Sequence, residues 1–233
     1  MNILAVESSG LTASAAVMAD GRLISEFTVN NKKTHSQTLL PMISEVLKSA
    51  DIEPKDIDCI AVSRGPGSFT GLRIGSATAK GLGLALEKPV AEVSTLEALA
   101  YNMYGNEGCI LCPIMDARRC EVYTAAYETD EEGTLKNIIE EKACPLNELL
   151  SELETLDKKV IFNGDGVPVY ESFIKENFKG RYAFAPSVQL LQRAGSVAAL
   201  GAKLFAEGKC TDADDHTPVY LRKSQAEREL ERV

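Results

Sequence analysis

The chain has 233 residues, 45% of them hydrophobic, no tryptophan and a formal net charge of -9. That is enough apolar material for one large core or two modest ones, and the acidity argues against an unaided grip on RNA or DNA, whose binders gain affinity by neutralising phosphates. The charge is uneven: residues 1–105 hold nine Lys/Arg against eleven Asp/Glu, and residues 106–233 hold sixteen against twenty-three. A role on nucleic acid therefore requires a partner that supplies the positive surface. The opening "MNILAVESSG" has no basic n-region, and no apolar run approaches the roughly 18 residues of a membrane span, so no membrane contact and a cytoplasmic location are expected.

The elements begin with a meander. "NILAVES", "ASAAVMA" and "RLISEFTV" are short and β-compatible, and Asp20-Gly21 between the last two favours a two-residue hairpin. "THSQTLLPMISEVLKSA" reads as a helix with Thr34 and Gln37 at capping-box spacing, an apolar stripe of Leu39, Leu40, Ile43, Val46 and Leu47, and a first turn kinked or set apart by Pro41. "IDCIAVSRGPG" predicts a buried strand with a sharp exit, "SFTGLRIGSATAKGLGLAL" a second helix, and "PVAEVS" a further strand. Three antiparallel strands followed by alternating helices and strands is the RNase H-like order, found in each half of the actin, Hsp70 and sugar-kinase superfamily. The expected fold class is therefore α/β and actin-like, with two degenerate domains.

The second unit starts near Tyr104-Gly105, dividing the chain into residues 1–105 and a smaller 106–233, with the C-terminal segment free to pack back on the first. "CILCPIMDARRCEVYTAAYE" predicts a strand pair turning at Asp116 to Arg119, "DEEGTLKN" a turn, and "KVIFNGDG" a buried strand ending in a glycine turn. "VPVYESFIKENF" and "SVQLLQRAGSVAALGAKLFAEG" read as helices, the latter stopped by Gly208; the polar tail "KSQAERELERV" is expected to fray. No internal repeat is visible.

Six scattered cysteines do not make a disulfide scaffold. Cys109 and Cys112 have a CxxC spacing inside an apolar strand, where residues three apart face opposite sides, and no second pair follows; buried thiols are expected. The glycines of "SRGPGSFTGLRIGSATAKGLGLAL" fail both phosphate-loop patterns. A P-loop would need Gly-Lys at positions occupied by Thr70 or Leu72, and the dinucleotide fingerprint would need glycine at Thr70. Instead Gly71, Gly75, Ala79 and Gly83 form one row of small residues and Ala77, Gly81 and Ala85 a second, which suits close helix packing on the chain's own sheet or on a partner helix. An outward face of Arg73, Ser76, Lys80 and Leu84 is expected, joined by part of the stripe at Leu39, Leu40, Ile43 and Leu47 to make a partner interface. His35 cannot form a helical metal pair, because position 39 is leucine. Glu7, Ser8 and Ser9 after the first strand, with Gly164, Asp165 and Gly166 after the later one, mark a residual cleft, although the serines equally suit turns and caps.

The segments "ILAVESS", "THSQTLLPMI", "VSRGPGSFTGLRIG", "DARRCEVY" and "PVYLR", in this order, resemble the TsaB (YeaZ) family; residues 128–160 carry least of the likeness. The resemblance implies a non-catalytic, partner or scaffold subunit for N6-threonylcarbamoyladenosine modification of tRNA. It also implies association with a TsaD-like catalytic subunit and a TsaE-like P-loop ATPase, tRNA contact only through the complex, and a homodimer when isolated. No catalytic residue, metal or cofactor of its own follows, with room left for a nucleotide in the residual cleft or at the complex interface. The competing reading is an active small-molecule phosphotransferase of the same superfamily, with Glu7 and the "NGDG" turn as its thin support; a metallopeptidase is weaker still.

Overall fold

The structure is a computed structural model and describes residues 1–31, 33–131 and 134–222. The expected meander forms: β1 (Asn2–Glu7), β2 (Ala13–Ala19) and β3 (Arg22–Val29) pair antiparallel, with Asp20 and Gly21 both at positive φ in the turn. After α1 (His35–Ser49), strand β4 (Cys59–Gly65) adds parallel to β1. Helix α2 (Phe69–Leu86) then leads to β5 (Val90–Ser94), parallel to β4. The first sheet has the order β3-β2-β1-β4-β5.

The same pattern then recurs. β6 (Cys109–Asp116) pairs antiparallel with β7 (Glu121–Thr129), and β7 with β8 (Leu135–Pro145). β9 (Lys159–Asn163) lies parallel to β6, and β10 (Tyr182–Phe184) parallel to β9. The second sheet, β10-β9-β6-β7-β8, is the first one repeated in strand order and direction. Two such RNase H-like sheets make the actin-like fold. The duplication is a property of topology that no residue-level repeat reveals.

Helices complete a layered stack. α1 and α2 cover one face of the first sheet. α4 (Leu146–Glu154) and α5 (Val167–Asn177) cover one face of the second. Between the sheets lie α3 (Thr95–Tyr101), whose Leu96, Leu99 and Ala100 pack on β6 and β7, and α7 (Ala194–Ala206), whose Val197 and Ala198 pack on β1, β4 and β5. From Gly208 onward the chain crosses the first sheet's edge as a strap: Thr211 bridges Val90, and the Val219 amide donates to the Arg64 carbonyl. Among the described residues no helix is long and apolar enough to cross a membrane.

Several local expectations are corrected. The Thr34 side chain makes no cap hydrogen bond, although its backbone has capping geometry, and α1 runs unbroken through Pro41. The helix expected over 187–208 is two, α6 (Ser187–Leu190) and α7, separated by an extended Leu191 and Arg193. Remote partners hold the break open: Asn102 Nδ2 donates to the Leu191 carbonyl, Thr12 Oγ1 to the Gln192 carbonyl, and the Ala194 amide to Ser14 Oγ. α3, β8, α4 and β10 have no counterpart in the sequence reading. The expected fraying of residues 223–233 lies outside the described residues.

Candidate functional site

Two places carry the residues singled out above: the ends of β1 and β9, where a residual cleft is expected, and the outer side of α1 and α2. At the cleft, Glu7 is fully buried. Its Oε1 accepts from the Ser9 amide and the Ser9 hydroxyl, both at 2.6 Å, and its Oε2 from the Ser63 hydroxyl. Burial pushes its carboxyl above the ordinary range against the pull of these hydrogen bonds. Ser8 Oγ donates to the Gly71 carbonyl at 2.8 Å, and the Ser68 amide donates to the Ser9 carbonyl at 2.7 Å.

This is where the glycines of the opening helix act. A Cβ on Gly71 would run into the Ser8 carbonyl oxygen, and one on Gly67 into that of Ser9. The start of α2 is thus pressed against the β1–β2 loop, and the backbone groups of each serve the other. Ser68 caps the helix itself, its hydroxyl accepting from the Gly71 amide.

The other half of the expected cleft is the turn after β9. Gly164 has φ +97, and its amide donates to the Leu190 carbonyl, while Gly166 donates to that of Ile114. A Cβ on Gly164 would meet the Ile114 carbonyl oxygen, so both glycines serve the packing of this turn on β6. Asp165 Oδ1 accepts from the Asp116 amide at 3.3 Å. Burial pushes the Asp165 carboxyl up to about 6, with Asp116 and Glu7 adding repulsion. The structure ties Glu7 to Ser9 and Ser63 and Asp165 to the Asp116 amide, and no hydrogen bond joins the two carboxyls among the described residues. Ser8, Gly164 and Gly166 serve internal packing, and Ser9 orients Glu7.

Gln192, which no local pattern marks, packs against the β1–β2 loop. It is 2% exposed, its amide lies where a Cβ of Gly10 would sit, and neither of its polar side-chain atoms has a partner among the described residues. His35 Nε2 meets the Gly10 carbonyl at 2.9 Å, and Leu39, one helical turn on, is buried in the core. Among the described residues no three His, Cys, Asp or Glu side chains gather as a metal site. Cys109 and Cys112 pack on opposite faces of β6, and all six cysteines are free thiols.

On the outer surface the expected interface is partly corrected. Leu39, Ile43 and Leu47 are buried between α1 and the first sheet, because the wide stripe points almost wholly inward. Ser76 is buried too: Leu72, Ser76, Ala79 and Gly83 fall at helical spacing on the sheet side of α2. The outward line is displaced by one residue, to Arg73, Ala77, Gly81, Leu84 and Ala85. Leu40 and Leu84 are the large apolar side chains left exposed there, at 57% and 51%, and a Cβ on Gly81 would meet nothing. Lys80 is occupied, its ammonium donating to the carbonyls of Asp214 and His216. The strap borders this face, with Tyr220 stacked on Phe69 at 4.5 Å and its hydroxyl accepting from Arg73 Nε.

The family described as tRNA N6-adenosine threonylcarbamoyltransferase matches residues 22–230. The tRNA threonylcarbamoyladenosine biosynthesis protein TsaB of Bacillus subtilis (strain 168) is 33% identical over 97% of this chain and 96% of its own. The Escherichia coli (strain K12) protein of the same name is 32% identical over 99% and 98%. The solved structure of YeaZ from Pseudomonas aeruginosa superposes with a TM-score of 0.79 at 30% identity, covering 94% of this chain and 99% of that one. Likeness of this length in sequence and in fold has one reading: the chain belongs to the TsaB (YeaZ) family of tRNA threonylcarbamoyladenosine biosynthesis proteins, within the wider family of the threonylcarbamoyltransferases.

Proposed function

We propose that the chain acts in tRNA threonylcarbamoyladenosine formation as a partner subunit with no transfer chemistry of its own. It docks on a TsaD-like catalytic subunit through the outer side of α2 and Leu40 of α1, and the isolated chain homodimerises through the same face. A TsaE-like P-loop ATPase joins the assembly, and tRNA is held only through the complex. The observation that carries this reading is the outward row Ala77, Gly81 and Ala85, flanked by exposed Leu84 and Leu40. Glycine in a helix costs about 0.5–1 kcal/mol relative to alanine, and a bare ridge repays that only when another backbone comes close. The absence of transfer chemistry is supported by the cleft, where Glu7 is held by serines and Gln192 lies against the β1–β2 loop.

The test is sedimentation of the double variant Ala77→Glu/Leu84→Glu, alone and with a TsaD-like subunit, alongside a melting curve. The expected result is a folded monomer that no longer joins the catalytic subunit. A folded variant that remains dimeric and still binds would show that this face is not the docking surface. Turnover of ATP over a panel of sugars and acids, abolished by Glu7→Gln, would overturn the non-catalytic reading.

A further inference from the structure

Two of the six thiols, 151 residues apart in the chain, meet where the strap begins: the Sγ atoms of Cys59 and Cys210 lie 3.7 Å apart. Cys59 is the first residue of β4 and is fully buried, with Ile3, Ala61 and Ala91 in the same cluster. Cys210 follows the turn that ends α7, is half-buried, and packs against that cluster from outside. The backbone on both sides of the contact is fixed. β4 is paired with β1 and β5, and Thr211, next to Cys210, exchanges two backbone hydrogen bonds with Val90.

Burial pushes both thiols up, and the contact between them raises Cys59 further while lowering Cys210, as it does when the Cys59 S–H donates to the Cys210 sulfur. Cys210 is therefore the sulfur that a reagent reaches and whose thiolate forms first, and Cys59 reacts only through it. A disulfide needs its sulfurs at roughly 2.0 Å, which asks for under about 2 Å of movement from the present contact. The strap itself has no helix or strand of its own among the described residues beyond Gly208, and segments held by so few backbone bonds are the first to open.

We propose that Cys59 and Cys210 form a redox-sensitive clasp that ties the strap to the first sheet. The oxidant is a low-molecular-weight disulfide, RSSR. The Cys210 thiolate attacks one of its sulfurs, forming a mixed disulfide on Cys210 and releasing RS⁻. Cys59 then loses its proton and attacks the Cys210 sulfur, and a second RS⁻ leaves. Two protein thiols are oxidised to one disulfide, RSSR is reduced to two RSH, and the two thiol protons end on them.

The experiment uses the full chain carrying Cys120→Ser, which removes the exposed thiol. The folded protein is incubated with excess glutathione disulfide, its remaining thiols are alkylated under denaturing conditions, and its peptides are mapped by mass. A Cys59–Cys210 link within one chain is expected, with Cys112 and Cys144 alkylated. The linked form should melt about 5–10 °C above the reduced one, and dithiothreitol should reverse both changes. Adding Cys59→Ser should stop the reaction at a glutathione adduct on Cys210, and adding Cys210→Ser should leave Cys59 unmodified. Three results would overturn the proposal: both thiols still free after the incubation, Cys59 modified in the folded Cys210→Ser protein, or a linked form that melts no higher than the reduced one. Should Cys59→Ser fail to fold, the peptide map and melting curve of the Cys120→Ser protein decide alone.

Discussion

Two glycines ten residues apart on one helix should respond to alanine with opposite signs. At Gly81 an added Cβ meets nothing within 4 Å in the single chain, so in the Ala77→Glu/Leu84→Glu background, where no second chain reaches the ridge, Gly81→Ala keeps only the backbone-entropy gain of about 0.5–1 kcal/mol. At Gly71 the Cβ would collide with the Ser8 carbonyl oxygen and approach Ser68 Cβ to 3.3 Å. Neither obstacle is the free end of a flexible chain, since the Ser8 hydroxyl is itself bonded to the Gly71 carbonyl. Overpacking of this kind costs roughly 1–3 kcal/mol, and the helix-propensity gain of about 0.5–1 kcal/mol offsets only part of that. The expected net effect of Gly71→Ala is a loss of about 0.5–2 kcal/mol. For a chain of this length about 2–4 °C in Tm accompanies each kcal/mol. Differential scanning calorimetry of the two variants in that monomeric background should therefore show Gly81→Ala melting slightly above the background protein and Gly71→Ala several degrees below it. A Gly71→Ala protein at least as stable as Gly81→Ala would refute the claim that the first glycine row exists to admit the β1–β2 loop.

Asp165 titrates higher in the folded chain, near 6, than when unfolded, so the folded state holds the extra proton and its contribution to stability falls as pH rises from about 4 to about 6. Urea unfolding should show Asp165→Asn gaining on the parent across that window, by up to about 2–3 kcal/mol at neutral pH, and parallel pH profiles would contradict the assignment. Tyr220→Ala removes the stack on Phe69 and the Arg73 contact, a loss of about 0.5–1.5 kcal/mol. It should release hydrogen-exchange protection at the Val219 amide while leaving β1 protected, and unchanged exchange there would show the strap is held by other contacts. Cys120 is the exposed thiol, whereas burial pushes Cys112 up to about 12. An aromatic disulfide reagent should show a fast phase that Cys120→Ser removes, and persistence of that phase would place the reactive thiol elsewhere.

What the sequence determined by itself was whatever short-range physics decides. Short apolar, β-compatible runs over Asn2–Val29 with Asp20-Gly21 between the last two strands specify the meander, and the apolar stripe of α1 specifies a helix lying on it. The rhythm of small residues in α2 announces close packing, and the family likeness rests on motifs that stand in the chain as written. The tertiary structure alone decided which side of that helix is bare. A one-residue shift, 100° on a helix, separates buried Ser76 from exposed Ala77, and only contact with the sheet sets that angle. It also decided that Leu191 to Arg193 are extended inside an apparent helix, because Thr12, Ser14 and Asn102, remote in sequence, supply the hydrogen bonds that outcompete helical ones. The repeated sheet is the largest instance: β1–β5 and β6–β10 share strand order and direction without a shared residue pattern, since pleat, hydrogen bonding and crossover handedness constrain where strands go while leaving the identity of each buried side chain open to either half.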